Sequence, residues 1–206
     1  MKSIEYGSNI MVITSSLSAK ASFIRRIIAE AEGSIGCIYV TTRDTAEEVL
    51  NRFKSNSVKL GVIDCVSRLA VPDLADSENI RRVPSPMDLA GISTAINKFL
   101  EKYFKEGKKI ILIFDSLSNL LIYSNIKRIL RFLHVLTVRI KIAKAKAFYI
   151  IDKEACDEKA LAMLKQLFSG IIEIEEKDSK RVVKLTTSNI KKEWEEPLKT
   201  HFSNST

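Results

Sequence analysis

The sequence predicts an α/β fold: three layers, αβα, built on a mostly parallel sheet that carries an antiparallel hairpin at its C-terminal edge. Three observations predict it. Strand-like and helix-like stretches alternate five times along the chain, the order that yields a parallel sheet with helices on both faces. In the middle, Ile110 to Phe114 is a run of five apolar residues, three of them Ile, too short and too β-branched for a helix. It reads as a central strand buried on both faces. Last, Gly170 to Glu175 and Val182 to Thr187 flank a turn at Asp178-Ser179 and read as the hairpin.

Taken in order, Asn9 to Thr14 is a first short strand, followed by Ser15-Ser16-Leu17-Ser18-Ala19-Lys20-Ala21-Ser22 and a helix from about Ala21 to Glu32. Phe23, Ile27, Ile28 and Ala31 recur there at helical spacing. Ile35 to Thr42 is a strand, Thr45 to Phe53 a short helix with Glu47 and Glu48 in its first turns, and Val58 to Asp64 a third strand. Cys65 to Pro86 holds three of the four prolines and reads as a long loop. Asp88 opens an amphipathic helix whose face carries Leu89, Ile92, Ile96, Phe99, Leu100 and Tyr103, and Gly107 stops it. After the central strand and an apolar turn come a long helix from Ile126 to Ala143, a strand from Lys146 to Ile151 and a helix from Asp157 to Phe168. The expected organisation is one domain over 1–188 and a charged tail over 189–206 that frays. Trp194, alone of its kind and set among charges, is expected to anchor that tail to the body or to a partner, with docking on the body the favoured reading.

Composition narrows the function classes. With 206 residues and 46% apolar content the chain can bury a sizeable core. No apolar run approaches the ~20 residues that cross a bilayer, and the N-terminus has no signal-like apolar stretch, so the expectation is a soluble cytoplasmic protein with no membrane partner. The net charge of +8 suits a polyanionic partner, but the basic residues are scattered, as on an ordinary solvated surface. Such Lys-, Ile- and Glu-rich usage is also a thermophile habit. Cys37, Cys65 and Cys156 lack metal-ligand spacing, and with only His134 and His201 beside them no metal site is expected. Cys37 and Cys65 read as core thiols.

The central strand ends abruptly in Asp115-Ser116-Leu117-Ser118, and the carboxyl end of a central strand is where α/β sheets gather ligands. This stretch resembles the Walker B strand of the RecA/KaiC superfamily of P-loop ATPases, with the archaeal type of KaiC domain as the nearest likeness. Pro84-Ser85-Pro86-Met87-Asp88-Leu89, Cys156-Asp157-Glu158 and Phe168-Ser169-Gly170-Ile171-Ile172-Glu173-Ile174 resemble further family segments in the right order. The resemblance implies that Thr14, Ser15, Ser16, Leu17, Ser18, Ala19, Lys20 and Ala21 occupy the Walker A position, with Ser22 one residue beyond, Asp115 the Walker B position, and Asp44 that of a water-activating acid. Walker A is Gly-x-x-x-x-Gly-Lys-Ser/Thr: its glycines let backbone amides reach phosphates, its Lys meets them and its hydroxyl binds Mg²⁺. Here Thr14, Ala19 and Ala21 replace the glycines and the hydroxyl, and only Lys20 is retained. Ser22 lies about 100° further round the helix. Asp44 is one methylene shorter than the glutamates such proteins carry, and as the residue before Thr-Ala-Glu-Glu it also reads as a plain helix cap.

Three readings stand. The leading one is a non-catalytic, degenerate RecA/KaiC-like domain that serves as an interaction or regulatory subunit, with a protein partner or its own copies, and no cofactor. The second is an ATP- and Mg²⁺-binding protein or weak ATPase with an atypical loop. The third is a recombination-mediator-like DNA binder using charge alone. For an anionic partner the sequence offers Lys127, Arg128 and Arg131 at the start of one helix, and Arg139 and Lys141 at its end.

Overall fold

A computed structural model describes residues 4–31, 33–53, 58–155, 157–177 and 180–197. Glu32, Cys156, the Asp178-Ser179 turn and the last nine residues of the expected tail, 198–206, lie outside the described residues. The elements run β1 (Asn9–Thr14), α1 (Leu17–Ala29), β2 (Ile35–Thr41), α2 (Ala46–Arg52), β3 (Val58–Asp64), α3 (Ser67–Ala70), β4 (Ile80–Arg82), α4 (Leu89–Lys105), β5 (Lys109–Asp115) and α5 (Leu117–Tyr123). They continue with α6 (Ile126–Ile142), β6 (Lys146–Ile151), α7 (Glu158–Lys165), β7 (Gly170–Lys177), β8 (Lys180–Thr187) and β9 (Lys191–Pro197).

Among the described residues these strands form one sheet in the order β4-β3-β2-β5-β6-β1-β7-β8-β9. Every pairing from β4 to β7 is parallel, and β7-β8-β9 is antiparallel. The two apolar runs, β1 and β5, lie in the interior of the sheet with both faces covered, which is why neither alternates polar with apolar. One face packs α1 and α2 through Phe23, Ile24, Ile27 and Val49. The other packs α4 to α7 through Ile96, Phe99, Leu120, Leu133 and Leu164. The expected three-layer, mostly parallel fold with a terminal antiparallel edge is the fold observed.

The differences have local causes. α1 begins at Leu17, four residues before the expected start, because Ser16 is extended (φ −96°, ψ 123°) and its hydroxyl accepts from the Ala19 amide. α2 is capped by Thr45, not by Asp44: Thr45 and Glu48 bond each other's backbone amides in a capping box. The expected loop Cys65 to Pro86 contains α3 and the edge strand β4, which pairs with β3 at Val62 and Ile80. Asp64 organises that segment, accepting from the Ala46, Val66 and Ser67 amides and from the Ser67 hydroxyl. The apolar turn after Asp115 is a helix, α5, which buries Leu117 and Leu120.

Lys191–Pro197 does not fray; it forms β9 at the sheet edge. With a single large apolar residue, the strand shows no apolar period. Its pairing with β8 is instead accompanied by charge pairs, Lys180 to Glu195 at 2.7 Å and Lys184 to Glu193 at 3.8 Å. Trp194 docks on the body as expected, packing on the α1–α2 side of the core beneath the Arg26 guanidinium. Arg26 is in turn ion-paired with Glu196.

Candidate functional site

The parallel strands β5, β6 and β1 are neighbours, and a cleft opens over their carboxyl ends. Thr14 comes from β1, Asp115 from β5, and Ile150 and Asp152 from β6 and the turn that follows it. Ser15, Ser16, Leu17 and Lys20 line one wall; Arg43, Ser116, Ser118 and Asn119 line the other. This is the switch-point crevice where an open α/β sheet binds ligands. Its volume is about 120 Å³, small against the ~300–1,000 Å³ of ordinary ligand pockets.

The backbone around Lys20 is already paired. The Ser16 amide donates to Thr14 Oγ1 at 3.2 Å, the Ala19 amide to Ser16 Oγ at 3.2 Å, and the Lys20 amide to the Ser16 carbonyl at 3.0 Å. Residues 17–20 are therefore helix rather than loop, and Ala19 turns its Cβ into the core, fully buried. Ala21 and Ser22 follow on the same helix, outside the cleft lining.

Lys20 reaches across to Asp115, Nζ to Oδ1 at 2.9 Å, with side chains only 13% and 7% exposed. The other carboxylate oxygen accepts from the Tyr39 hydroxyl at 2.7 Å. Burial, with the Asp115 charge and hydrogen bond added, holds the Tyr39 phenol well above its ordinary pKa. It is a fixed donor. Thr42 braces the strand end, its amide donating to the Asp115 carbonyl and its hydroxyl accepting from the Ser116 amide at 2.9 Å.

A second acid closes the amino end of α1. Glu176, near the end of β7, accepts from Ser16 Oγ at 2.6 Å and Ser18 Oγ at 2.8 Å, and from the Arg181 guanidinium at 2.8 Å. Its desolvation is outweighed by these bonds from Ser16, Arg181 and Ser18, so the carboxyl titrates below its usual range. The negative charge also suits the helix dipole. No local motif announces Glu176, Arg181 or Tyr39; they join the site through strand register alone.

Asp44 is clamped elsewhere. Arg43 Nε lies 3.1 Å from one oxygen and Arg52 pairs with the other. Although burial pushes its carboxyl upward, the bonds from Arg52 and Arg43 bring it below the usual range. Asp44 does not line the cleft. The cations of α6 also lie away from it: Lys127, Arg128, Arg131 and Lys141 are exposed on that helix, and Arg139 is tied to Ser93 Oγ at 2.8 Å. Among the described residues no three of His, Cys, Asp and Glu gather as metal ligands. Cys37 is a core thiol, its pKa pushed up by burial to about 12, and Cys65 is equally buried.

Sheet order, covered faces and a cleft at the carboxyl ends of β5, β6 and β1 define a RecA-like α/β domain. The chain belongs to a family of unknown function, DUF7504, whose model matches residues 7–174. No curated protein matches it in sequence. Among solved structures it is similar to a KaiC-like protein of the hyperthermophilic archaeon Pyrococcus horikoshii, with a TM-score of 0.63 at 14% identity over 92% of this chain and 85% of that one. It is also similar to the flagellar accessory protein FlaH of Methanocaldococcus jannaschii, with a TM-score of 0.52 at 18% identity over 89% and 80% of the two chains. A third is an uncharacterised Pyrococcus horikoshii protein in complex with an unknown peptide, with a TM-score of 0.63 at 12% identity over 94% of each chain. At such identities the likeness is one of fold. Among the described residues no helix is long and apolar enough to cross a membrane.

Proposed function

We propose that this is a RecA/KaiC-like domain that has given up nucleotide chemistry and acts in the cytoplasm as an interaction or regulatory subunit. One observation carries the reading: the place for phosphates is filled by the chain's own charges. Lys20 is neutralised by Asp115, and Glu176 sits on the Ser16 and Ser18 hydroxyls over the first turn of α1.

The residues present do not fit a nucleotide triphosphate with its metal. The cradle needs free amides in a glycine loop; here the Ser16, Ala19 and Lys20 amides are bonded and the chain is helical from Leu17 on. Ala21 offers the metal no oxygen. A phosphate at the end of α1 would also meet the Glu176 carboxylate. Two unit charges of like sign at 4 Å repel by roughly 4 kcal/mol at an effective dielectric of 20, comparable to what several amide contacts would return. Asp44, locked between Arg43 and Arg52, is in no position to activate a water there. The Pyrococcus protein of this fold that is in complex with a peptide accords with a role in binding rather than turnover.

The test is a melting experiment with Mg²⁺ and ATP. At a hundred times its Kd a ligand adds ~2.7 kcal/mol to stability, a shift of about 5–10 °C for a domain of this size. The proposal expects no shift up to millimolar ATP; a saturable upward shift would refute it.

A further inference from the structure

The outward face of α6 differs from the rest of the surface. Elsewhere many cations are matched by acids, as in Lys59 with Glu106, Lys102 with Glu78 and Lys180 with Glu195. On α6 none of Lys127, Arg128, Arg131 and Lys141 makes an ion pair among the described residues, and no acid occurs from Ile126 to Lys144. Three of these cations stand in the opening turns, where they oppose the helix dipole. Between and beyond them lie exposed apolar side chains: Val135, 53% exposed, Val138, 44%, and Ile142, 79%. Beside this stripe a shallow apolar groove of about 480 Å³ runs between α6 and α7, lined by Leu130, Arg131, His134, Val135, Met163 and Leu167.

We propose that the α6–α7 face docks an acidic amphipathic helix of a protein partner. Lys127 to Ile142 spans ~22 Å of helix, room for about four turns of such a segment. Its apolar stripe would cover Val135, Val138 and Met163, and its acids would meet the unpaired cations at the α6 amino end. Nucleic acid suits the cations but makes no use of an apolar floor, and the exposed positions of α6 carry no Phe, Tyr or Trp on which bases stack. A second copy placed α6 against α6 would bring like charges together. The inference rests on reading the domain as an interaction subunit, but its test involves α6 alone, whereas the ATP titration involves only the cleft, so either can fail without the other.

The probe is a fluorescein-labelled synthetic 20-residue helix with Leu at every third or fourth position and Glu elsewhere, followed by anisotropy. A counterpart with Lys for Glu and a 20-nucleotide single strand of DNA serve as competitors. The Glu peptide is expected to bind at least about tenfold more tightly than the Lys peptide. Lys127→Glu with Arg131→Glu should weaken it about tenfold or more. Val138→Asp should weaken it severalfold, as should Ile142→Ser, which touches no core residue. Lys191→Glu with Lys192→Glu, matched in charge but on β9, should change it less than twofold. Melting temperatures establish that each variant is folded. Equal binding of the Glu and Lys peptides would overturn the proposal, as would equal weakening by the β9 pair or DNA binding that is tighter than the peptide's and indifferent to Val138→Asp.

Discussion

At Asp115 two hydrogen bonds set what the carboxylate can do. With Lys20 on one oxygen and Tyr39 on the other, it is a structural ion pair joining α1 to the centre of the sheet. Removing one partner of a nearly buried pair leaves the other charge uncompensated, whereas removing both is much milder. Asp115→Asn is therefore predicted to lower stability by about 2–3 kcal/mol, and Lys20→Met added to it to restore about half. A urea-denaturation double-mutant cycle measures the coupling; additive losses would show that the pair holds nothing together.

Glu176 gives a pH dependence of definite sign. Its folded-state pKa is depressed, so its stabilisation is complete above the unfolded value of about 4.3 and is lost as pH falls through the lower folded value. Denaturation midpoints of the native chain and Glu176→Gln should differ most near pH 6 and converge below about pH 4. Lys20 and Asp115 are legible in the sequence because each belongs to a motif. Glu176, Arg181 and Tyr39 are not, since only the pairing of β1 with β7 brings residue 176 to residue 16.

At the scale of elements, the sequence shows most clearly what is periodic. α4 and α6 follow their apolar spacing almost to the residue, and the buried run at 110–114 is the middle strand it resembles. Misreadings occur where polar side chains replace apolar pattern: Ser16 starting α1 early, Asp64 ordering the proline-rich segment, and charge pairs flanking β9. Close approach is another thing that a one-dimensional pattern conceals. At Gly36 a Cβ would lie 2.4 Å from the Tyr103 ring and 3.0 Å from Tyr103 Cβ, so α4 sits on β2 only because that position has no side chain. Gly36→Ala is predicted to cost about 1–3 kcal/mol by overpacking, visible as a lower urea midpoint with unchanged slope. No loss at Gly36 would mean that α4 can shift freely on the sheet.

At the scale of the molecule, the alternation of strand and helix is enough to give the layers, because right-handed crossovers leave few ways to lay such elements on a parallel sheet. It does not give the state of the cleft, which depends on whether side chains distant in sequence fill it. The net charge of +8 is likewise uninformative until its placement is known: along α6 exposed cations stand in a helix that has no acid, and that is the face proposed to take an acidic protein helix. On the proposed reading, the anion site closed from within and the bare basic-apolar helix outside belong to a domain that is recognised rather than one that turns over a substrate.

The most direct measurement is calorimetric titration of ATP with Mg²⁺ into the native chain and into Lys20→Ala. A filled cleft predicts no saturable heat for either protein up to about 1 mM nucleotide. Saturable binding to the native chain at a Kd below about 100 µM, abolished in Lys20→Ala, would contradict it.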